Sequence, residues 1–489
     1  MSLQQLEIRQ YSCGVVPNTE QIILRLNCST YFPTVPKMIQ KGKIIMSDIT
    51  REQVLEYDQK YNQHPWLTGT VNAIPVEKAD GVYFWDYNGK RYYDMSSQLA
   101  NVNLGYGNKE IIEAVKKQVE ILPYIAPAYA SGPRAELAKK LIEIAPDNMG
   151  KVFFSCGGSD ANEAAIYAAR TFTGKSKILS RYRSYHGSTL GSGNLSGDPR
   201  RFALETPAAT GFLKFFDPYV YRSNIKFKND AEASAYYLGL IEEQIQYEGS
   251  DNIAAIEVES ITGANGVIIP PDGYLQGLRA LCDKYGILLI CDEVMAGFGR
   301  TGTMFGFEHW GIKPDIISFA KGVTCGYVQL GGIIMSKEIS KYFEDKTFLY
   351  GLTYSGHSLA CAAGLAAVNY YKEHHILEHV NEVGKVFGEL LEDIKARHKS
   401  VGDVRYIGLF GAVELMKDRE KKIPLVPYGY DENKIMAKIQ GLLKERGFAA
   451  FGRENNINIT PPLIITEEQL RDAFVILDEV LTIVDNEFI

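Results

Sequence analysis

Three short segments carry side chains that could perform chemistry together, and the first contains a lysine. The segment DIISFAKGV places Lys321 directly after an apolar run, where a charged ammonium would be poorly solvated. Burial lowers the pKa of a lysine, and a neutral amine can attack an aldehyde to form a Schiff base. A lone lysine at a strand end more often extends into water, so this segment alone does not decide the matter.

The second segment ends an apolar run with two acids. In ILLICDEV, alternation along a strand would point Asp292 and Glu293 to opposite faces. A buried carboxylate is costly unless a cation or a strong donor meets it, and a protonated pyridine nitrogen is such a partner. Asp292 is therefore a candidate for holding that proton, although an acid at a strand end often only caps the next loop.

The third segment is a glycine-rich turn, CGGSDANEAAIYAAR, between a predicted strand and a predicted helix. It places Gly157, Gly158, Ser159 and Asp160 at the helix N-terminus. Free N–H groups and the helix dipole favour a phosphate there, and the Ser159 hydroxyl adds a donor. The alternative is an ordinary tight turn with an N-cap serine. A phosphate cradle, an acid for a ring nitrogen and a reactive amine together match the needs of pyridoxal 5'-phosphate (PLP).

The segments DEVMAGFGRTG and SFAKGV closely resemble the class III, fold-type I aminotransferases. The resemblance runs from about Met46 to the C-terminus and includes SYHGSTLG, GLTYSGHSLACAA and the late TPPL. It implies that Lys321 carries PLP and moves the substrate proton, and that turnover is ping-pong. The cofactor-binding residues that the resemblance implies are Gly158 and Ser159 at the phosphate, Tyr185 and His186 of YHG, Asp292 at the ring nitrogen, Val294 on the opposite ring face, and Thr353.

The resemblance also has consequences for the partners of the chain. Thr353 matches the threonine that reaches the phosphate of the neighbouring subunit's cofactor, which implies a homodimer with shared active sites. The partners that we expect are therefore an amine donor, a 2-oxo acid and a second copy of the chain. A catalytically silent PLP-binding protein is the alternative of another class.

Substrate choice is predicted from a departure from the family pattern. Many relatives have an arginine three residues before the PPL proline pair, where it grips an α-carboxylate, and this chain has Asn458. Glu259 of VESITG thereby loses its expected partner. The segments HPW and LSGDPRRF resemble the taurine aminotransferase branch, so we predict that Trp66 and Arg201 bind a sulfonate. The acceptor preferred is 2-oxoglutarate, and the alternatives are taurine:pyruvate or β-alanine and other ω-amino acid aminotransferases.

Short apolar runs alternating with helical stretches must position these side chains. From about residue 100 they predict an α/β domain with a parallel sheet. The resemblance to fold-type I implies that this sheet is mostly parallel and seven-stranded, and that a smaller α+β domain is formed by the N- and C-terminal segments. The boundaries that we predict are 1–45 for an extension of unknown role, 46–100 and 361–489 for the small domain, and 101–360 for the large one. Met46 is a plausible true start, and Ser47 or Asp48 could cap the first helix. The strands expected are 151–155, 177–180, 253–259, 287–291, 315–320 and 331–336.

Composition restricts the possible partners further. The net charge is -7 and the pI is near 5.8, which gives no basic surface for nucleic acid or anionic lipid. No basic segment with a following apolar run begins the chain, and no apolar stretch is long enough for a membrane. The seven cysteines show no CxxC spacing, so we expect no metal site and a cytoplasmic, reduced protein.

Overall fold

The computed structural model describes residues 49–66, 73–205, 209–428, 431 and 433–489. The extension 1–45, Met46, Ser47 and Asp48 lie outside the described residues. The chain divides into two compact units, 1–73 and 74–489, and each is described by itself. The domain boundaries given above stay a prediction.

The described part of the first unit contains one helix, α1 (Arg51–Tyr61). Its N-cap is Thr50, whose hydroxyl accepts a hydrogen bond from the Gln53 N–H at 3.3 Å, while the Gln53 side chain accepts one from the Thr50 N–H at 3.0 Å. This reciprocal pair is a capping box. The helix therefore starts after Thr50 and not at the caps expected from the sequence. Trp66 lies in this unit, five residues beyond the helix.

The second unit contains the remaining described helices and strands. Its helices are α2 (Ser97–Ala100), α3 (Lys109–Ile121), α4 (Gly132–Ile144), α5 (Gly158–Thr173), α6 (Leu190–Leu195), α7 (Asp230–Glu248), α8 (Tyr274–Tyr285), α9 (Lys337–Tyr342), α10 (Ser358–Glu373), α11 (Ile376–Arg397), α12 (Ile435–Glu445) and α13 (Glu467–Glu487). Its strands are β1 (Val76–Asp80), β2 (Tyr83–Asp86), β3 (Arg91–Asp94), β4 (Met149–Ser155), β5 (Lys177–Arg181), β6 (Phe212–Phe215), β7 (Ile253–Glu259), β8 (Leu288–Asp292), β9 (Ile316–Phe319), β10 (Gly331–Ser336), β11 (Val401–Ile407), β12 (Phe410–Asp418), β13 (Ile423–Pro424), β14 (Phe448–Ala449), β15 (Phe451–Arg453) and β16 (Asn456–Ile459).

The central sheet has seven strands among the described residues, in the order β4-β10-β9-β8-β7-β5-β6. Strand β10 runs antiparallel to both of its neighbours, and the other pairings are parallel. The α/β class with a mostly parallel sheet is thus confirmed. Helix α5 packs on this sheet against β7, β9 and β10. The central strands are buried on both faces, which explains why they are continuous apolar runs in the sequence.

Among its described residues, the second unit also contains two smaller sheets. The sheet β1-β2-β3-β14 pairs N-terminal strands with a strand near the C-terminus, and the other is formed by C-terminal strands in the order β11-β12-β16-β15, with β13 paired to β12. Thr466 caps α13 in a capping box with Gln469. None of the helices that the structure describes is both long and apolar enough to cross a membrane.

Arg300 of the GFGRTG segment connects the two ends of the second unit. Its guanidinium is fully buried and donates hydrogen bonds to Pro461 O at 2.6 Å, Asn103 Oδ1 at 2.8 Å, Leu409 O at 3.0 Å and Ser97 Oγ at 3.3 Å. Burial lowers the pKa of Arg300 to about 10. Because a buried charge needs this many partners, Arg300 has a structural role here.

Candidate active site

Lys321, which the sequence predicts to carry the cofactor, follows the end of β9. Lys321 begins a short 3-10 turn (Lys321–Val323), and its φ of 49° lies in the left-handed region that side chains other than glycine seldom adopt. The turn is held by the Cys325 N–H, which donates to Lys321 O at 3.0 Å. A cavity of about 280 Å³ lies beside the lysine. The residues that line it are Gln98, Leu99, Asn101, Cys156, Gly157, Gly158, Ala320, Lys321, Thr324, Gly326, Val328, Gln329 and Leu330.

The environment of Lys321 favours a neutral amine. Burial lowers the pKa of Lys321 to about 8, and the positive charges of Arg200 and Arg300 act in the same direction. The negative charges of Asp292 and Glu259 oppose the shift. A substantial fraction of the amine is therefore unprotonated in mildly alkaline solution, as a nucleophile and base requires.

The glycine-rich turn lies in the wall of the same cavity. Helix α5 begins at Gly158, with Gly157 as its N-cap. A Cβ atom on Gly158 would lie 3.1 Å from Val294 Cγ1, and one on Gly331 would lie 2.5 Å from Gly157 O. Glycine therefore allows the helix start to approach the sheet closely. The N-terminus of this long helix lines the same cavity as Lys321 and suits the phosphate of PLP.

Ser159, the second residue of the turn that we predict to bind the phosphate, contacts a neighbouring loop. The Ser188 N–H donates to Ser159 Oγ at 3.1 Å, and the Ser188 hydroxyl lies 2.8 Å from the Tyr185 hydroxyl. The loop that carries Tyr185 and His186 is thus attached to the start of α5. Its position brings both expected cofactor contacts to the C-terminal edge of the sheet.

Asp292 ends β8 as a buried acceptor of three hydrogen bonds. Asn162 Nδ2 donates to Asp292 Oδ2 at 2.8 Å, His186 Nδ1 lies 2.8 Å from the same oxygen, and the Val294 N–H donates to Oδ1 at 3.0 Å. The neighbouring Glu293 faces away and accepts hydrogen bonds from Ser260 and the Gly306 N–H. Asp292 is therefore fixed by its neighbours, while its role at the ring nitrogen of PLP stays a prediction. Asn162 is a supporting contact that the sequence did not reveal.

Glu259 is bound by backbone groups. Its Oε1 accepts from the Tyr185 N–H at 3.1 Å, and its Oε2 accepts from the Gly263 N–H at 2.6 Å. Burial raises the pKa of Glu259. Asn458 is also buried and donates to Ala264 O at 3.1 Å. The acid that lacks its expected arginine is thus kept in place by the fold, while Asn458 contacts the same loop.

The two arginines of LSGDPRRF point in different directions. Arg201 donates to Glu205 Oε1 at 2.8 Å and to the carbonyl of Gly197. The Arg200 guanidinium lies 3.6 Å from the centre of the Tyr185 ring and is held by Asp198, and its charge acts on Lys321. Arg200 is thus the one of these two arginines that contacts the Tyr185 ring and acts on Lys321, and the assignment of Arg201 to the substrate stays a prediction.

Thr353 lies apart from the cavity-lining residues. It is exposed on its own chain, and its carbonyl accepts a hydrogen bond from the Tyr124 hydroxyl at 2.6 Å. Among the predicted residues, the structure brings together Lys321, Gly158, Ser159, Tyr185, His186, Asp292, Val294 and Glu259.

Comparison with known proteins identifies the family of the chain. The model of the class-III aminotransferase family matches residues 68–481, so the chain belongs to that family. A taurine–pyruvate aminotransferase from Bilophila wadsworthia is 35% identical over 454 residues, which cover 90% of this chain and 99% of the relative. An aminotransferase of Bacillus subtilis, YhxA, is 35% identical over 442 residues, or 87% of this chain and 96% of the relative.

Solved structures give the same result. The taurine:2-oxoglutarate aminotransferase from Bifidobacterium kashiwanohense, in complex with PLP and glutamate, is 52% identical with a TM-score of 0.89, and the match covers 91% of this chain and 100% of that one. An (S)-enantioselective ω-transaminase from Thermomicrobium roseum is 34% identical with a TM-score of 0.84 and coverage of 88% and 98%. The chain is therefore a PLP-dependent aminotransferase that uses an amine donor and a 2-oxo acid. When bound, PLP supplies the aldehyde that takes up the amine and a ring that accepts electrons.

Proposed function

We propose that the enzyme transfers the amino group of taurine to a 2-oxo acid, with 2-oxoglutarate preferred, and produces sulfoacetaldehyde and glutamate. The observation that carries the proposal is the placement of Arg200 over Tyr185 in a site that has Asn458 at the position of the family's carboxylate-binding arginine. The 52% identity with a taurine:2-oxoglutarate aminotransferase supports the same donor and acceptor.

The chemistry of taurine fits these residues. Taurine has a primary amine and a sulfonate but no α-carboxylate, so an arginine placed for an α-carboxylate is not needed. A guanidinium presents several N–H donors in one plane, which suits an oxyanion such as a sulfonate. Arg200 is anchored through Asp198, which also lies 3.3 Å from Arg453 Nη2. The second arginine adds positive charge near the proposed sulfonate position.

Different residues of the chain have different roles in the transamination. The amine of Lys321 removes the proton from the substrate carbon that bears nitrogen and later returns a proton, which is general acid–base catalysis by one group. Asp292 holds the proton of the ring nitrogen, and the N-terminus of α5 binds the phosphate. The 2-oxo acid then takes the amine by the reverse path, which gives ping-pong kinetics.

A panel of donors and acceptors tests the proposed function. Purified enzyme would be assayed with taurine, β-alanine and γ-aminobutyrate, each with 2-oxoglutarate and with pyruvate. We expect the largest kcat/KM for taurine with 2-oxoglutarate. A larger value for β-alanine would favour the ω-amino acid alternative, and a larger value with pyruvate would change the acceptor. Cofactor binding without turnover of any donor would indicate a silent PLP-binding protein.

Two adjacent substitutions separate the roles of the arginines. We expect Arg200→Lys to raise the KM for taurine about 10- to 100-fold, because a hydrogen-bonded charge pair contributes about 1.5–3 kcal/mol. Arg201→Lys should change it less than about 2-fold, since Arg201 contacts Glu205 and Gly197 and not the Tyr185 ring. The measurement is steady-state kinetics with taurine varied. A large effect of Arg201→Lys without an effect of Arg200→Lys would indicate that Arg201 binds the sulfonate, as the sequence predicted.

Trp66 remains a proposed sulfonate neighbour. It ends the first described stretch of the chain, 49–66, and the HPW segment that carries it resembles the taurine branch of the family. The substitution Trp66→Ala belongs in the same kinetic series. An effect confined to sulfonate donors would support the assignment, whereas an equal effect on every donor would contradict it.

We propose that the enzyme is a homodimer in which Thr353 reaches the phosphate of the partner's cofactor. The exposed position of Thr353, outside the residues that line the cavity of its own chain, supports this arrangement.

Thr353→Glu should repel the phosphate, so a homodimer of this variant should bind PLP poorly, and a homodimer of Lys321→Ala should be inactive. Random mixing of the two inactive variants should restore activity in about a quarter of the sites, because a hybrid of a symmetric dimer contains one intact site. Two proteins that stay inactive after subunit exchange would contradict the shared site.

We also propose that the enzyme is cytoplasmic. Cysteines that the structure describes, including the buried Cys282, Cys291, Cys325 and Cys361, are free thiols. Scattered free thiols are typical of a reducing compartment. Fractionation of the source cells, with the enzyme detected by antibody, tests the location.

A further inference from the structure

A second buried acid lies behind Asp292 and takes no part in the chemistry described so far. Glu257 is on β7, two residues before Glu259, and its side chain is fully buried. Its Oε1 lies 3.6 Å from His186 Nδ1, and the same nitrogen is 2.8 Å from Asp292 Oδ2. Among the described residues, neither carboxyl oxygen of Glu257 has a hydrogen-bond partner, nor does His186 Nε2.

The surroundings of Glu257 disfavour its charged form. Burial raises the pKa of Glu257 to about 8, the negative charges of Asp292 on β8 and Glu163 on α5 act in the same direction, and His186 opposes them. For His186, burial lowers the pKa, but the hydrogen bond with Asp292 and the charges of Glu257, Asp292 and Glu259 raise it overall. A carboxyl group and an imidazole so close together therefore titrate as a pair.

We propose that Glu257 is a positioning residue that titrates as a pair with His186 and acts through it on Asp292. The two groups lie close but have no direct hydrogen bond, so the shared proton of the pair is one that either group can hold. With one shared proton, Glu257 and His186 together are neutral, so Asp292 provides the negative charge of this group toward the ring nitrogen of PLP. Loss of the shared proton in alkaline solution places a second negative charge behind Asp292. The proposal concerns the cofactor site and does not depend on which donor the enzyme uses.

A metal ion bound by His186, Glu257 and Asp292 is the alternative that the test must distinguish from a shared proton. His186, Glu257 and Asp292 each offer one ligand atom, and these atoms lie within 4.8 Å of one another. A bound divalent metal would hold Glu257 as a carboxylate and would leave no proton to share. A metal bound in a one-to-one ratio would therefore overturn the proposal.

Thermal unfolding of the apoprotein against pH tests the shared proton without any assay of activity. The substitution is Glu257→Gln, which has the shape of a neutral glutamic acid. The folded pair of Glu257 and His186 in wild type holds one proton up to about pH 8, whereas the unfolded chain, with an ordinary histidine pKa of 6.5, loses its last one above that value. Stability from the pair therefore falls as the pH rises from 6.5 to about 8. We expect the Tm of the variant, relative to wild type, to rise between pH 6.5 and 8 and then to level off.

A control and a second variant keep the test decisive. Glu344→Gln, at an exposed ion pair with Lys151, should show no such rise. Glu257→Met, which also has no charge to lose, replaces the glutamine variant if that protein does not fold. A Tm difference independent of pH between 6.5 and 8 would overturn the proposal, as would stoichiometric metal in the purified wild type.

The visible absorption of the bound cofactor tests the action through His186. Above about pH 8 the wild type has an additional negative charge, which favours protonation of the nitrogen that joins Lys321 to the cofactor. We expect the midpoint of the spectral pH titration to lie about half a pH unit higher in wild type than in Glu257→Gln, a shift typical of a nearby charge. Equal midpoints would show that Glu257 has no influence on the cofactor.

Discussion

Alanine in place of Lys321 is expected to lower kcat for transamination at least about 10³-fold, because one amine provides both covalent and general-base catalysis. The side chain is only partly buried at the edge of a cavity, so its removal should leave the protein folded. The measurement is the single-turnover rate of the PLP-loaded variant with an amino donor. Burial lowers the pKa of Lys321 to about 8, so the rate of the wild-type enzyme should rise with pH below that value.

Lys313 provides the matched control. It is exposed and pairs with Asp147 at 2.7 Å, so Lys313→Ala should retain the full rate. A Lys321→Ala enzyme with more than about a tenth of the wild-type rate would contradict the role of this amine, because acid–base catalysis alone typically contributes at least about 10²-fold.

Substitution of Asp292 by asparagine should have the next largest effect. We expect kcat to fall about 10²- to 10⁴-fold, the range of a lost acid–base function, and the affinity for PLP to fall with it. Asparagine keeps the shape but cannot hold the ring-nitrogen proton, and its amide hydrogens would face the donors of Asn162 and His186. Steady-state kinetics and titration of the apoprotein with PLP are the measurements.

A structural effect of this substitution can be distinguished from a chemical one. Asp147→Asn is the exposed control and should change neither kcat nor the affinity for PLP. If Asp292→Asn lowered the Tm but left the kcat of the PLP-saturated enzyme intact, Asp292 would be a structural acid and the assignment to the ring nitrogen would be wrong.

The central sheet and the positions of its chemical groups were readable from the sequence for a physical reason. Strands of a parallel sheet covered on both faces are continuous apolar runs, and Lys321 and Asp292 stand where two such runs end. Since parallel strands bring their carboxyl ends to one edge, the two residues had to meet there. Strand β6 was missed because FLKF is a short run that contains a lysine and has no buried pattern of its own.

Side-chain direction could be predicted at the end of strand β8 but not in the loops. Arg200 and Arg201 are neighbours in a 3-10 turn (Pro199–Ala203), where successive side chains point about 120° apart. Only the fold shows that the first of them lies over Tyr185. The contact between Glu257 and His186 could not be predicted either, because His186 lies in a loop more than sixty residues away in the sequence. The pairing of Asn162 with Asp292 likewise spans α5 and β8, and no local pattern encodes it.

The most direct test of the central claim is to find which residue is joined to the cofactor. The PLP-loaded enzyme would be reduced with borohydride, digested and analysed by mass spectrometry. We expect the label on the peptide that contains Lys321, and none on that peptide in Lys321→Ala. A label on another lysine, or a protein that takes up PLP without any covalent label, would contradict the account.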